Sequence, residues 1–187
     1  MRSPFYFIVK PHKNRRYDST KNLGGIDFIT SVSKEDHTVS NRYAEVYALP
    51  INYKGPIEVG DTLLVHHNVF KYYFDMKGRE KSGRSFFMDD LFFIDFDQFY
   101  LYKHKGKWHS HKDFCFVEPV KSKDSIYFKP GTKEELTGIL KYGNDSLYKL
   151  GVQEGDEVIF TPDSEYEFVV DDQILYRMKT KNICATL

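Results

Sequence analysis

Two histidines and a cysteine near the middle of the chain are of the residue types that bind zinc. His109 and His111 lie in the run Trp108-His109-Ser110-His111, and Cys115 follows them. Imidazole and thiolate groups are the usual zinc ligands in proteins. Their spacing matches no recognised zinc-finger pattern, and Cys115 belongs to a different segment from the histidines. A polar turn followed by a core cysteine is therefore the favoured interpretation, and we predict no metal site.

The adjacent pair His66-His67 is a second candidate, in this case for general acid–base catalysis. Successive residues of a strand point to opposite faces, so the two imidazoles would not act on the same substrate. No serine or cysteine in a recognisable nucleophile context accompanies them. We therefore predict that the protein is not an enzyme, that it has no catalytic residues and that it needs no cofactor.

Carboxylates are concentrated near the C-terminus and could bind calcium. Five of them lie close together in the chain: Asp163, Glu165, Glu167, Asp171 and Asp172. They lack the ligand spacing of an EF-hand and the glycine that its loop requires. A hairpin exposed to solvent is the favoured interpretation of this cluster.

A basic, glycine-containing segment lies between two aromatic runs, residues 70–74 and 86–88. Its cations are Lys77, Arg79, Lys81 and Arg84. The flanks predict the two arms of a long hairpin, and cations beside aromatic rings can bind single-stranded nucleic acid through charge and stacking. An exposed hairpin or a subunit contact explains the same pattern, and we favour it over nucleic-acid binding.

Strands are predicted to position nearly all of these residues. Aromatic residues make up 17% of the chain, with 16 Phe and 14 Tyr, and such residues suit the pleated surface of a sheet. Many short apolar runs separated by turn residues predict an all-β barrel or sandwich. The single helical signal covers residues 133–136 and is one turn long.

Composition and charge argue against several classes of protein. Lys and Arg together number 27 and Asp and Glu together number 27, a balance that does not favour non-specific binding to nucleic acid. Two distant cysteines are too few for a disulfide framework. The apolar run at residues 5–9 is too short for a signal sequence or a membrane span. We expect a soluble protein of a reducing compartment, the cytoplasm, with no membrane partner.

Two passages of the chain resemble each other in order and in content. Residues 7–11 and 115–119 both end an apolar run with proline, and the prolines are offset by 119 − 11 = 108 positions. A Gly-Asp pair precedes an apolar strand at 60–61 and again at 155–156, offset by 156 − 61 = 95. The difference, 108 − 95 = 13, would be a shortening of the first loop. The order of the matches predicts a tandem duplication, with domains at 1–110 and 111–187, whereas chance is the alternative explanation.

Residues 13–41 predict a long, exposed and mobile loop between two strands. Loops longer than about 12–15 residues without secondary structure are uncommon in compact domains, and they are usually functional or disordered. The loop contains one short apolar stretch, Gly24-Gly25-Ile26-Asp27-Phe28-Ile29, which we call the hook. One interpretation is that the hook docks on a partner protein. The alternative is that residues 26–29 form a short strand of the barrel.

This order of strands and loops resembles the GroES-type co-chaperonins, the chaperonin-10 family. Residues 7–11 resemble the opening strand of the family, and residues 24–28 resemble its mobile loop, where a Gly-Gly turn precedes an apolar tripeptide. Residues 42–48 and 59–65 resemble the next two strands, and residues 151–160 repeat the second of these. The ending, residues 175–185, resembles the last hairpin of the family.

Three departures from the family pattern indicate a divergent, enlarged member of the kind found in viruses. Asp27 occupies the middle of the tripeptide, where the family usually has an aliphatic residue. Residues 68–90, an inserted hairpin, have no counterpart in a minimal member. The second copy has no Gly-Gly-Ile loop. These departures also leave the alternative of a GroES-like scaffold that serves as a nucleic-acid-binding or structural assembly module.

The resemblance implies a co-chaperonin built from two GroES-like β-barrels in tandem. Its subunits would form a homo-oligomeric ring, a heptamer in this family, that caps a GroEL-type chaperonin and assists the folding of a client protein in the cytoplasm, which is the host's if the protein is viral. The chaperonin-binding residues would be those of the hook: Gly24, Gly25, Ile26, Asp27, Phe28 and Ile29. The resemblance also places Cys115 and Cys184 on the first and last strands of the second copy, near each other or across a subunit border.

Overall fold

Strands dominate the protein, so the all-β class predicted from the sequence is confirmed. The structure is a computed structural model that describes residues 1–17, 40–120 and 136–187, together with the backbone of residues 20–23 and 26–29. The chain divides into two compact units, Met1–Trp108 and His109–Leu187. The sequence-based border lay between residues 110 and 111, within the same short stretch of chain.

The N-terminal unit contains a large antiparallel sheet and two small ones. Its strands, with the last one running across the border, are β1 (Phe7–Pro11), β2 (Thr20–Leu23), β3 (Ile26–Ile29), β4 (Tyr43–Ala48), β5 (Thr62–Val65), β6 (Tyr72–Phe74), β7 (Glu80–Ser82), β8 (Phe86–Met88), β9 (Leu91–Ile94), β10 (Phe99–His104) and β11 (Lys107–Ser110). Seven of them form one sheet in the order β11-β10-β5-β4-β1-β9-β8. The pairs β2–β3 and β6–β7 form separate two-stranded sheets. A 3-10 turn, His12–Asn14, follows β1.

The core of this unit is built from alternate residues of the large sheet. In β4 the residues Ala44, Val46 and Ala48 are buried, whereas Glu45 and Tyr47 between them are exposed. This alternation gives the sheet one face toward the core and one toward solvent. The buried face packs against aromatic rings supplied by the other strands and their connections: Phe7, Phe70, Phe92 and Phe99.

The C-terminal unit contains a six-stranded antiparallel sheet and one short helix. Its elements are β12 (Phe114–Pro119), β13 (Thr137–Tyr142), α1 (Asp145–Lys149), β14 (Glu157–Phe160), β15 (Tyr166–Val170), β16 (Gln173–Lys179) and β17 (Ile183–Thr186), and a 3-10 turn (Thr180–Asn182) precedes β17. The strand order is β15-β16-β12-β13-β14-β17. Of the helical turn predicted at 133–136, only Leu136 lies among the described residues, and it is not helical.

Helix α1 has a start signal in the sequence that pattern analysis overlooked. Asn144 is its N-cap, and the side-chain oxygen of Asn144 accepts hydrogen bonds from the N–H groups of Ser146 and Leu147. Such caps satisfy backbone donors that have no partner within the helix. Leu147 is buried and joins the core of the C-terminal unit. The helix is five residues long, too short to give a helical period in the sequence.

The two large sheets have the same strand order. Reading along each sheet, β8-β9-β1-β4-β5-β10 of the N-terminal unit corresponds to β15-β16-β12-β13-β14-β17 of the C-terminal unit. The register of the pairing shifts between Ile8 and Val9 in β1, and between Phe116 and Val117 in β12. These bulges occupy equivalent positions, because the second lies 108 residues after the first, the same offset that separates Pro119 from Pro11. The passages that resemble each other in sequence therefore form equivalent strands.

The Gly-Asp turns of the two units also match in detail. The Asp61 carboxylate accepts a hydrogen bond from the backbone N–H three residues earlier at 2.8 Å, and Asp156 does the same at 2.7 Å. Gly60 has a φ of +93° and Gly155 a φ of +95°, a region that residues other than glycine rarely occupy. Each Gly-Asp pair thus combines a backbone conformation that favours glycine with a side chain that closes the turn before the strand.

Candidate functional site

The hook belongs to a hairpin with its own hydrogen bonding. β2 pairs antiparallel with β3 along the whole length of both strands. Neither strand pairs with the seven-stranded sheet. Gly24 and Gly25, which connect them, lie outside the described residues. Residues 26–29 therefore form a strand, but their partner is β2 and not a strand of the large sheet.

The register of this hook hairpin assigns the apolar residues to faces. Leu23 lies opposite Ile26, and Lys21 lies opposite Phe28. Alternate residues of a strand belong to the same face of a sheet. Ile26 and Phe28 are therefore assigned to one face, and Asp27 to the other. Of the three hydrophobic residues expected to bind a chaperonin, Ile26 and Phe28 are thus at positions that a single groove can receive, whereas Ile29 is on the face of Asp27.

The two ends of the segment 18–39 meet at one place, which we call the loop base. Tyr17 and Ser40 form an isolated antiparallel bridge, and the N–H of Asn41 donates to the carbonyl of Arg16 at 3.0 Å. The buried side chain of Asn41 donates to two carbonyls of the incoming chain, at 3.0 Å and 2.7 Å. Backbone and side-chain hydrogen bonds therefore hold both ends of the segment together.

Arg16 connects the loop base to the inserted hairpin. Its Nε–H donates to the carbonyl of Phe70 at 2.8 Å, and its Nη1 donates to the hydroxyl of Ser82 at 3.1 Å. The guanidinium lies 3.5 Å from the ring centroid of Tyr72 and 4.9 Å from that of Phe92. Burial lowers the pKa of Arg16 from its ordinary value, but a guanidinium remains charged in proteins. A half-buried cation thus joins four residues that lie far from it in sequence.

Tyr17 and Ser40 make further contacts with the same insertion. The hydroxyl oxygen of Tyr17 accepts the N–H of Tyr72 at 2.7 Å, and the two rings stack at 5.9 Å with an interplanar angle of 11°. Burial raises the pKa of the Tyr17 hydroxyl, so the group stays neutral near pH 7. On the other side of the base, the hydroxyl of Ser40 donates to the carbonyl of His67 at 2.8 Å. Sequence analysis missed Arg16 and Tyr17, because their partners are more than 50 residues away.

A basic hairpin forms between β6 and β7, but the predicted second arm is wrong: residues 86–88 are β8, which pairs with β9 in the large sheet, and residues 80–82 pair with β6 instead. Tyr72 lies opposite Ser82, and Tyr73 lies opposite Lys81. The first pair faces the loop base, and the second belongs to the opposite face. Tyr73 is 50% exposed. The remaining cations of the tip, Lys77, Arg79 and Arg84, are also exposed. The hairpin therefore has an inner face that contacts the loop base and an outer face that is basic and aromatic.

The histidines and the cysteine considered for zinc lie in different environments. His109 is an exposed residue of β11, and Cys115 is fully buried in β12. Burial raises the pKa of the Cys115 thiol to about 12, and its Sγ lies 3.7 Å from the carbonyl oxygen of Met178. Within the described ranges, no group of three His, Cys, Asp or Glu side chains could hold a metal ion. The expectation that His66 and His67 lie on opposite faces of a strand is wrong, because both follow the end of β5 and their rings lie 4.1 Å apart. His66 Nδ1 accepts a hydrogen bond from the N–H of Asn68.

The C-terminal acidic cluster lies around a hairpin. β15 pairs with β16 up to Val170 opposite Gln173, so Asp171 and Asp172 form a two-residue turn. Both have positive φ, 47° and 64°, as the favoured type I′ hairpin turns require. Glu167 is an exposed residue of β15. These carboxylates therefore have a structural explanation in the turn and on the exposed side of the hairpin.

The two cysteines lie on the first and last strands of the C-terminal unit. Cys115 is in β12 and Cys184 is in β17, and β13 and β14 separate these strands in the sheet. Both thiols are free, with Cys115 buried and Cys184 exposed. The resemblance implied that the two cysteines lie near each other or across a subunit border. The order of strands does not place them on neighbouring strands.

Comparison with known proteins does not identify a function, so a functional proposal has to rest on the geometry of the two hairpins. No family model matches the chain, and no curated protein sequence matches it significantly. In the part of the chain that the structure describes, no helix has the length and apolar character needed to cross a membrane. The features that remain as candidates for function are the hook hairpin and the inserted hairpin beside its base.

Proposed function

We propose that this protein is a GroES-type co-chaperonin that binds a chaperonin through the hook. The observation that carries the proposal is the separate hairpin of β2 and β3, which lies outside the hydrogen-bonding pattern of the large sheet. A short hairpin of two strands is at best marginally stable alone. A partner that receives one of its faces would therefore supply stabilisation that the pair of strands lacks.

The distribution of hydrophobic residues supports this mode of binding. Ile26 and Phe28 are assigned to one face, opposite Asp27. Burying a side chain of this size contributes roughly 1.5–3 kcal/mol, so one hook would bind weakly. Several hooks presented by a homo-oligomeric ring would bind with avidity, which can exceed the affinity of one site by roughly 10²–10⁴. Weak individual contacts suit a lid that has to leave the chaperonin in every cycle.

The duplicated sheet supports a tandem GroES-like architecture. Each unit contains a central pair of strands, a Gly-Asp turn and a closing hairpin in the same order. In the proposed ring, one or both units would form the contacts between subunits, and the client protein would be enclosed by the chaperonin. The proposed site of action is the cytoplasm, where a GroEL-type chaperonin acts, and no metal or cofactor is needed.

Binding of the purified protein to a chaperonin ring in the presence of ATP tests this function. The double variant Ile26→Asp plus Phe28→Asp should lose binding by at least about a hundredfold, since each ring loses every hook at once. Phe28→Asp and Ile29→Asp are matched single variants, because each places an aspartate in the hook but on opposite faces. Phe28→Asp should weaken binding far more than Ile29→Asp. Absence of binding by the unmodified protein to any of several chaperonins would refute the proposal.

A second candidate function follows from the outer face of the inserted hairpin. Tyr73 is exposed beside Lys81, and further cations surround the tip. A GroES-like scaffold with this surface could bind single-stranded nucleic acid or act as an assembly module. Such binding would fall steeply with salt and would not respond to changes in the hook. Fluorescence titration with a single-stranded oligonucleotide at two salt concentrations distinguishes it from chaperonin binding.

A further inference from the structure

We propose that Arg16 and Tyr17 are positioning residues that use the inserted hairpin to clamp the loop base and thereby present the hook to its partner. The expected consequence, tighter binding of the hook to a chaperonin, rests on the proposed function. The clamp itself is a property of the free protein and can be tested without a chaperonin. It assigns a role to β6 and β7, the part of the predicted insertion that lies outside the large sheet.

The contacts of Arg16 carry the inference. Arg16 lies next to the bridge that closes the segment 18–39, and it donates one hydrogen bond to each arm of the insertion, to Phe70 and to Ser82. Its guanidinium stacks on Tyr72 at 3.5 Å. Hydrogen bonds from a charged donor are stronger than neutral ones, and a planar guanidinium can donate and stack at the same time. Lysine at this position could not reproduce the arrangement.

The pairing within the insertion shows that one face is dedicated to this contact. Tyr72 and Ser82 lie directly opposite each other in β6 and β7, and both contact the loop base. The neighbouring pair, Tyr73 and Lys81, is on the other face. β6 and β7 pair with no strand of the large sheet. Because a two-stranded hairpin has little stability alone, its attachment to the loop base stabilises the insertion as well.

The C-terminal unit provides an internal comparison. Its β14 and β15 correspond to β5 and β8, but only residues 161–165 connect them, where the N-terminal unit has residues 66–85. The C-terminal unit also lacks a Gly-Gly-Ile hook in its sequence. The hook and the inserted hairpin therefore occur together in one copy and are both missing from the other. This co-occurrence is expected if the insertion serves the hook.

Fixing the loop base should increase affinity through preorganisation. When both ends of a segment are held, less conformational freedom remains to be lost on binding. Breaking the clamp would leave Ile26 and Phe28 unchanged but would weaken the contacts that hold residues 16 and 17 beside residues 40 and 41. Binding should then weaken although no residue of the hook has changed.

Amide hydrogen exchange on the free protein tests the clamp. In Arg16→Met the N–H of Asn41, which donates to the carbonyl of residue 16, should exchange about tenfold faster, because one charged hydrogen bond or more is lost. The N–H of Tyr72 should exchange faster in the same variant. Tyr73→Ser is the matched control on the outer face and should leave both amides unchanged. Unchanged exchange of the Asn41 amide in Arg16→Met would overturn the clamp, whether or not the protein binds a chaperonin.

A disulfide across the loop base tests positioning. Directly opposed antiparallel residues have Cα atoms about 4.5–5.5 Å apart, which is within the range of a disulfide. We would introduce Tyr17→Cys and Ser40→Cys into Arg16→Met, with Cys184→Ser to remove the exposed thiol. Arg16→Met should bind the chaperonin about tenfold more weakly, and the oxidised cross-link should restore binding, whereas the reduced form should not. Binding by Arg16→Met equal to that of the unmodified protein would overturn the positioning role, and so would a weakened variant that the cross-link does not restore. If the unmodified protein binds no chaperonin, the proposed function fails, and the exchange measurement still decides the clamp.

Discussion

The two units of this protein share one order of strands and differ in what connects them. In both, the first strand is bulged and lies inside the sheet. β1 lies between β4 and β9, and β12 lies between the equivalent strands β13 and β16. The N-terminal unit adds the hook and the inserted hairpin, and the C-terminal unit adds helix α1. The sheet is therefore the constant part of this architecture. Features that could bind a partner lie in the connections, where change costs the core least.

The largest difference between equivalent positions concerns the first strand. Phe7 and Cys115 correspond, and both are fully buried, but the Phe7 ring makes edge-on contacts with Tyr53, Phe96 and Phe99. Phe7→Ala should destabilise the N-terminal unit by about 3–5 kcal/mol. Cys115→Ala should cost the C-terminal unit only about 1 kcal/mol. Denaturant unfolding followed by hydrogen exchange in each unit measures both values, and equal costs would contradict this view of the two cores.

The Gly-Asp turns should respond alike in the two units. Gly60 and Gly155 have almost the same positive φ, and a Cβ atom at either position would contact nothing within 4 Å. Alanine should therefore cost only the backbone strain of a left-handed conformation, about 1–2 kcal/mol, in each case. Exchange rates of the amides in β5 and β14 report the two effects separately. A clear inequality would mean that the turns are equivalent in shape and not in energy.

The smallest expected effect on stability comes from the second cysteine. Cys184 is exposed, so Cys184→Ser should leave the unfolding free energy unchanged within about 0.5 kcal/mol. The two thiols should differ in reactivity instead. At pH 8 a disulfide reagent should modify Cys184 quickly, whereas Cys115 is buried and its raised pKa of about 12 leaves almost no thiolate. Rapid modification of Cys115 in the folded protein, followed by mass spectrometry, would show that the C-terminal core opens readily.

Local patterns in the sequence were sufficient for the parts of the fold that depend on neighbouring residues. The Gly60-Asp61 turn and the first arm of the inserted hairpin follow from short runs of strand and turn residues. The second arm, β7, is the polar run Glu80–Ser82 and was not predicted; the aromatic run 86–88 pairs with β9 instead. β2 gave no such signal, because Thr20–Leu23 contains only one strongly apolar residue. Its pairing with the hook depends on the hairpin as a whole.

The loop base could not be predicted for a different reason. Arg16 lies in a polar run that reads as solvent-exposed, and its partners Phe70 and Ser82 are 54 and 66 residues away. Helix α1 was missed because five residues give no period, although Asn144 is a recognisable cap. Sequence patterns therefore do not predict polar contacts between distant residues, nor elements as short as α1.

The central place of the first strand has a consequence for how the chain acquires its structure. Val9 of β1 pairs with Phe92, a separation of 92 − 9 = 83 residues, whereas Val117 of β12 pairs with Tyr176, a separation of 176 − 117 = 59. Contacts between distant residues form slowly, since the intervening chain has to close a loop first. At a synthesis rate of roughly 5–20 residues per second, β1 can pair early with β4, but it waits several seconds on the ribosome before β9, its other partner, exists. The inserted hairpin lengthens this wait, so we expect the N-terminal unit to fold more slowly than the C-terminal unit.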